Sequence, residues 1–205
     1  MVEAQQTLDT RTAILNATER LLADYGYKKM TMEDVAVEAG LGRRTIYLHF
    51  RTKKQLALAV IDRIIDHLLA ELRKIAASQT APAARLHQML VRRIMFLFDR
   101  ERDIRHTLDD VYKALLPKYK TYREKYIRLE VELFAQVLRE GEDLGQLDIT
   151  DPVEVGNALV MATNSLTPFS LNVHHRGQRK HVERKIRLIA DMLIYGLAPK
   201  QPNSR

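Results

Sequence analysis

The sequence contains no cysteine, and its glycines and prolines are few, 8 and 6 among 205 residues. Without cysteine, a disulfide scaffold, a cysteine-ligated zinc site, an iron–sulfur cluster and a cysteine nucleophile are all excluded. The scarcity of turn residues argues against an all-β fold and against a disordered chain. A helical globular protein fits these absences best.

Long hydrophobic runs are also absent. The most apolar region, residues 56–72, is interrupted by five charged or histidine side chains, so the sequence predicts no transmembrane helix. The first ten residues include acids and no apolar core, which is not the pattern of a signal peptide. We therefore expect a cytoplasmic protein.

Positive charge is in excess, with 33 Lys and Arg against 26 Asp and Glu, a net charge of +7 and a pI near 9.6. Such a balance permits a polyanionic partner without requiring one. The length suits one large domain or two small ones.

Apolar residues recur at helical spacing along most of the chain, and no segment favours a strand. Asp151-Pro152 is a typical helix start, and Thr52-Lys53-Lys54-Gln55 matches a capping box. We expect Pro117 to end a helix. The patterns predict an all-α fold of about nine helices, near residues 11–25, 31–39, 43–50, 53–78, 82–97, 100–116, 119–144, 152–165 and 182–197.

The two short helices are joined by Gly40-Leu41-Gly42, and this arrangement predicts a helix-turn-helix motif over about residues 31–50. The second short helix carries a polar outer face: Arg43, Arg44, Thr45, Tyr47 and His49. Arginine is the commonest bidentate reader of guanine, and hydroxyl and imidazole groups commonly bind phosphate. Residues 28–54 hold seven Lys and Arg against three acids, which is the charge expected of a DNA-binding surface.

The stretches Thr31-Met32-Glu33-Asp34-Val35-Ala36 and Thr45-Ile46-Tyr47-Leu48-His49-Phe50 resemble the DNA-binding head of TetR-family transcription regulators. The resemblance covers about the first 60 residues. It implies a homodimer on double-stranded operator DNA, with a helix-turn-helix head at 1–55 and a helical ligand-binding and dimerisation body at 56–205. The family often has Ser or Thr where this chain has Gly42, so a side-chain cap is lost there. The expected base contacts are Arg43, Arg44, Thr45 and Tyr47, and the expected phosphate contacts are Thr31, His49, Lys53 and Lys54.

The body carries no comparable signature. Candidate pocket walls are the aromatic, methionine and amide side chains Phe96, Tyr122, Tyr126, Met161 and Asn164. Core packing is the alternative for most of them, whereas a buried Asn needs a partner. We expect an apolar or aromatic small-molecule effector. An acyl-coenzyme A is the alternative, because residues 113–128 carry six Lys and Arg against one acid.

The last two helices offer apolar faces for an isologous four-helix dimer interface. Those faces hold Val153, Leu159, Val160 and Leu166, and Ile186, Ile189, Leu193 and Leu197.

No catalytic motif is present, and His174, His175 and His181 fit no metal-ligand spacing. We expect no enzyme activity, no metal and no cofactor. The sequence predicts a DNA-binding repressor released by a small molecule. A constitutive regulator or an activator without an effector is the alternative.

Overall fold

The computed structural model describes the backbone of residues 2–166 and 179–195, with side chains outside that description at residues 2–6, 8, 97, 101–123, 165 and 195. Within these ranges the chain is all-helical, as predicted, with seven α-helices and one short 3₁₀ helix. They are α1 (Val2–Lys29), α2 (Met32–Ala39), α3 (Arg43–His49), α4 (Lys53–Ala76), α5 (Pro82–Asp143), α6 (Pro152–Thr163), the 3₁₀ turn (Asn164–Leu166) and α7 (Arg179–Tyr195).

The main departure from the predicted pattern lies in α5. Its helical run covers 62 residues and includes Pro117, but within it Arg85 pairs with Glu140 and Arg93 with Glu130, 55 and 37 positions later. Along a single straight helix, residues that far apart would be separated by about 55 Å or more, at about 1.5 Å per residue. The chain therefore reverses direction within α5, and the two ends of the run lie side by side. Residues 167–178, between the last two predicted helices, lie outside the described residues.

The first helix, predicted to end near residue 25, runs on to Lys29, and Gly26 interrupts it. Its φ of 76° and ψ of 165° are not helical, and the amide of Met30 then donates to its carbonyl at 3.2 Å. Only glycine adopts such a conformation without strain. A further turn thus follows the glycine and brings the chain to α2.

The chain divides into two compact units: Met1–Asp66 with Glu101–Lys120, and His67–Arg100 with Thr121–Arg205. The predicted division between residues 55 and 56 stays a prediction. None of the described helices is long and apolar enough to cross a membrane.

The first unit has a core drawn from its first four helices. Its members are almost fully buried aliphatic and aromatic side chains: Ile14, Leu22, Val35, Ile46, Phe50, Leu56 and Val60. Both short helices therefore face their apolar sides inward, as the sequence predicts, and this leaves the other side of α3 for solvent.

The second unit is built on α5 and α6. Asp151 caps α6 by accepting from the amides of Val153 and Glu154 at 2.9 and 3.0 Å, as predicted. Gly156 lies so close to α5 that an added Cβ would stand 3.1 Å from the carbonyl oxygen of Val131. The absence of a side chain at Gly156 therefore permits close packing of α6 on α5.

Candidate functional site

The helix-turn-helix is held by local backbone devices. Thr31 Oγ1 accepts from the Asp34 amide at 3.1 Å while the Asp34 carboxylate accepts from the Thr31 amide at 2.8 Å, which completes a capping box. Gly40 ends α2 in the left-handed conformation with φ of 65°, and the Leu41 amide then closes on the Ala36 carbonyl at 2.9 Å. These contacts fix the reversal that leads into α3.

Gly42 precedes α3 without a side-chain cap, as its identity predicts. Its φ of −66° is open to any residue, and an added Cβ would meet only Thr45 Oγ1 at 3.9 Å. Unlike Gly40, this glycine is not required by the backbone.

The outer face of α3 presents the predicted base-contacting side chains. Arg43, Arg44 and Tyr47 are exposed, and Thr45 is half-buried one turn before His49. Ile46 and Phe50 are buried beneath them. The helix thus has a packing side and a polar side. The polar side carries two guanidinium groups, an imidazole, a hydroxyl and a phenol.

One feature of this face was not foreseen. Arg43 Nη1 lies 2.8 Å from Glu33 Oε1, and its guanidinium carbon is 5.5 Å from the centre of the Tyr47 ring. Glu33 is an exposed acid in the first turn of α2, and its position in sequence carries no signal of this pairing across the turn.

The predicted phosphate-contacting residues occupy the ends of the helices around α3. Thr31 is exposed but its hydroxyl serves the α2 cap, whereas His49 and Lys54 are half-buried. Lys53 donates from Nζ to the Lys28 carbonyl at 3.1 Å and lies 4.6 Å from the centre of the Tyr27 ring. Burial lowers the pKa of the Lys53 ammonium below its ordinary value, and the charge of Asp34 opposes this shift.

The start of α4 differs in detail from the predicted capping box. Thr52 Oγ1 accepts from the Gln55 amide at 3.1 Å, as expected. The Gln55 side chain, however, accepts from the Arg51 amide at 3.0 Å, one residue before the expected donor. The side chain is long enough to reach the earlier amide, so the cap is made of two bonds that do not close the usual box.

Arg63 attaches α4 to α1 and was not singled out by the sequence pattern. Its guanidinium donates to Asn16 Oδ1 at 2.7 Å and to the Leu15 carbonyl at 3.1 Å, and it also pairs with Glu19. A cation next to the apolar positions of α4 is the signal that could have identified it.

In the second unit, the pocket candidates do not share one environment. Phe96 and Tyr126 are buried, and Arg92 and Arg100 stand 5.3 and 5.8 Å from the centre of the Phe96 ring. Met161 departs from the expected pocket wall, because 59% of its surface is exposed. The side chain of Tyr122 lies outside the described residues.

Asn164 has a partner within the chain. Its Oδ1 accepts from Arg93 Nη2 at 2.7 Å, while Arg93 Nη1 donates to Thr163 Oγ1 at 3.2 Å and Nε pairs with the Glu130 carboxylate. Arg93 and Glu130 are both buried. Arg93 lies among the apolar positions of its helix, and a charge on such a stripe is the signal in the sequence that could have revealed a buried ion pair.

Part of the predicted dimer face is also internal. Leu159, Val160, Leu166 and Ile186 are buried inside the subunit, so they cannot contact a partner. This part of the prediction is wrong because helical spacing identifies an apolar side without saying what covers it. The large apolar side chains left exposed on the last two helices are Val153, Met161, Leu188 and Met192.

Comparison with known proteins agrees with this geometry. Residues 14–60 match the family model described as bacterial regulatory proteins, tetR family. The chain is 29% identical over 152 residues to the HTH-type transcriptional regulator YfiR of Bacillus subtilis, covering 71% of this chain and 72% of YfiR. It is 32% identical over 78 residues to the transcriptional activator FasR of Mycolicibacterium smegmatis, covering 38% of this chain and 36% of FasR. Among solved structures, SmeT in complex with triclosan aligns with a TM-score of 0.69 and 21% identity, over 96% of each chain.

Proposed function

This chain is a member of the TetR family of bacterial regulatory proteins, a helix-turn-helix transcriptional regulator, and on that premise we propose that it is a repressor that a small molecule releases from its operator. The observation that carries the proposal is the outer face of α3. Two exposed arginines and an exposed tyrosine share that face, above a buried apolar side.

The proposed readers of base edges are on α3. Arg43 and Arg44 suit guanine, whose O6 and N7 accept two hydrogen bonds from one guanidinium. Thr45 and Tyr47 would add hydroxyl contacts. A seven-residue helix is long enough to lie in the major groove and reach three or four bases.

The proposed phosphate contacts are Thr31, His49, Lys53 and Lys54. Lys54 is the simplest of these to test, because Lys53 and Thr31 also serve the structure of the free chain. For Lys53 to reach DNA, its ammonium must leave the Lys28 carbonyl or share it with a phosphate.

The experiment begins with selection of an operator from random duplexes. Arg43→Ala should then weaken operator binding by about 1–3 kcal/mol and relax base choice at one position. Lys54→Ala should weaken binding to all duplexes about equally and lower the salt slope by about one. Retention of wild-type affinity and base preference by both variants would show that the assignment is wrong.

The second unit is proposed to bind the effector. Phe96 and Tyr126 supply buried aromatic surface, and Asn164 supplies an amide beside the buried Arg93. With Tyr122 they make up the candidate set, from which the exposed Met161 is dropped. SmeT, which shares the fold, was solved with triclosan bound, and this supports an apolar or aromatic effector. An acyl-coenzyme A stays the alternative.

Release requires that the effector bind more tightly to the DNA-free protein than to the operator complex. The coupling should be about 1–3 kcal/mol and equal in both directions. A panel of aromatic compounds and acyl-coenzyme A esters can be screened by thermal shift, and any compound that binds is then titrated with and without operator. A compound that binds in the second unit yet leaves operator affinity unchanged, and is itself bound equally well by the operator complex, contradicts the mechanism.

We also propose a homodimer through α6 and α7. Met161, Leu188 and Met192 form an apolar set on the outside of these helices, each about 60% exposed or more in the single chain. Burying such a set against its own copy would give an isologous interface. The dimer would then present two copies of α3 about one DNA turn apart, roughly 34–36 Å.

The alternative to test is that the protein activates transcription rather than repressing it. FasR is a transcriptional activator, and it matches this chain over 78 residues. A reporter gene placed behind the selected operator should be expressed less when the protein is present. Higher expression would identify the protein as an activator. Expression that stays the same with and without every binding compound would identify it as a constitutive regulator.

A further inference from the structure

The acids of the basic segment, residues 28–54, have separate partners. Asp34 completes the capping box with Thr31. Glu38 pairs with Arg20 of α1 at 2.6 Å. Glu33 is the acid that reaches α3, where its Oε1 lies 2.8 Å from Arg43 Nη1.

The Glu33–Arg43 pair is open to solvent, with side chains 50% and 66% exposed. Exposed pairs contribute little to folding, so the role of this pair is not to stabilise the head. Its consequence is local: the guanidinium is held between a carboxylate and the Tyr47 ring, whose centre is 5.5 Å away. In the free chain Arg43 therefore already has a carboxylate partner.

A carboxylate at this place affects phosphate and base contacts differently. A phosphate binds Arg43 through charge, and the Glu33 carboxylate competes with it for the same guanidinium. Guanine binds through two neutral acceptors, O6 and N7. The guanidinium has five N–H donors, so it can keep one on Glu33 and offer two to guanine.

We propose that Glu33 is a specificity-determining positioning residue, which weakens contacts of Arg43 with DNA phosphates more than its contact with a base. Its effect is to lower affinity for non-specific duplexes more than for the operator. This inference rests on the proposed role of Arg43 as a base reader. It adds an acid from the preceding helix to the recognition surface, and that acid acts through Arg43 rather than by touching DNA.

The test compares Glu33→Gln with Glu38→Gln. Both residues are exposed acids of the same short helix, both pair with an arginine, and both variants remove one negative charge. Dissociation constants are measured for the selected operator and for a scrambled duplex of the same composition, across a range of salt. Circular dichroism melts verify that both variants keep the wild-type fold.

Glu38→Gln should strengthen binding to both duplexes by the same factor. The ratio of the dissociation constant for the scrambled duplex to that for the operator then stays unchanged. Glu33→Gln should strengthen binding to the scrambled duplex more than binding to the operator. The ratio of the two constants should therefore fall by about two- to fivefold, the range that an exposed ion pair supports. In an Arg43→Ala background, Glu33→Gln should no longer change the ratio, because the effect passes through Arg43.

An equal ratio for the two Gln variants would overturn the proposal and leave the DNA-binding function intact. A change of ratio that persists without Arg43 would also overturn it, since Glu33 would then act on DNA directly. If the wild-type protein selects no operator at all, the proposed function itself fails.

Discussion

The buried ion pair of the second unit allows a stability prediction with a sharp magnitude. Arg93 and Glu130 have side chains only 3% and 8% exposed. Arg93→Met leaves the Glu130 carboxylate in the core without its cation, and it also removes the donors to Thr163 and Asn164. Breaking one partner of such a pair costs about 3–5 kcal/mol. Urea unfolding followed by circular dichroism should therefore show a large shift to a lower midpoint.

The same helix supplies a matched control. Arg139 and Glu132 also pair within α5, at 2.9 Å, but their side chains are 45% and 62% exposed. Water solvates either charge when its partner is removed, so Arg139→Met should cost about 0–1 kcal/mol. The difference between the two Arg→Met variants isolates burial as the cause.

A double variant completes the argument. Arg93→Met with Glu130→Met removes both charges, and replacing a whole buried pair by apolar side chains is often neutral or stabilising. Thr163 keeps its bonds to the Leu159 and Val160 carbonyls at 3.0 and 3.2 Å. Most of the lost stability should return. If Arg93→Met costs no more than Arg139→Met, or if the double variant is as unstable as the single one, the reasoning is refuted.

Three further predictions concern the head, acid stability and assembly. Gly40→Ala should lower the free energy of unfolding by about 1–2 kcal/mol, because φ is 65° there. Gly42→Ser should raise it by about a few tenths of a kcal/mol by adding a cap. Thermal melts of the two variants check the contrast, and equal effects would contradict it. The hydrogen bonds from Arg85 lower the pKa of the Glu140 carboxyl. The stability that this pair contributes is therefore present above the ordinary carboxyl pKa of about 4.3 and is lost as pH falls through the lowered value. Glu140→Gln should flatten that part of the pH–stability curve, and an unchanged acid slope would count against the assignment. Met192→Glu should convert a dimer to monomers at micromolar concentration, since a charge would be buried at the proposed interface. Light scattering measures the change, and a dimer of unchanged affinity would rule out that surface.

Much of the fold could be predicted from the sequence because it depends on neighbours along the chain. The caps at Thr31 and Asp151, the reversal at Gly40 and the apolar stripes of the helices are local patterns, and the structure has each of them. The outward placement of Arg43, Arg44 and Tyr47 followed from the same periodicity. Local patterns of this kind can be recognised without any distant contact.

The tertiary structure decided what depends on residues far apart in the sequence. Helical spacing marked Leu159 and Ile186 as apolar but did not reveal that the subunit itself covers them. It could not show that Arg93 meets Glu130, 37 positions later, or that Arg85 meets Glu140, 55 positions later, across a reversal of the chain. Nor could it reveal that Glu33 turns toward Arg43 across the reversal at Gly40. Local pattern is thus enough to identify the residues of α3, whereas the acid beside its first arginine is set by the packing of α2 against α3.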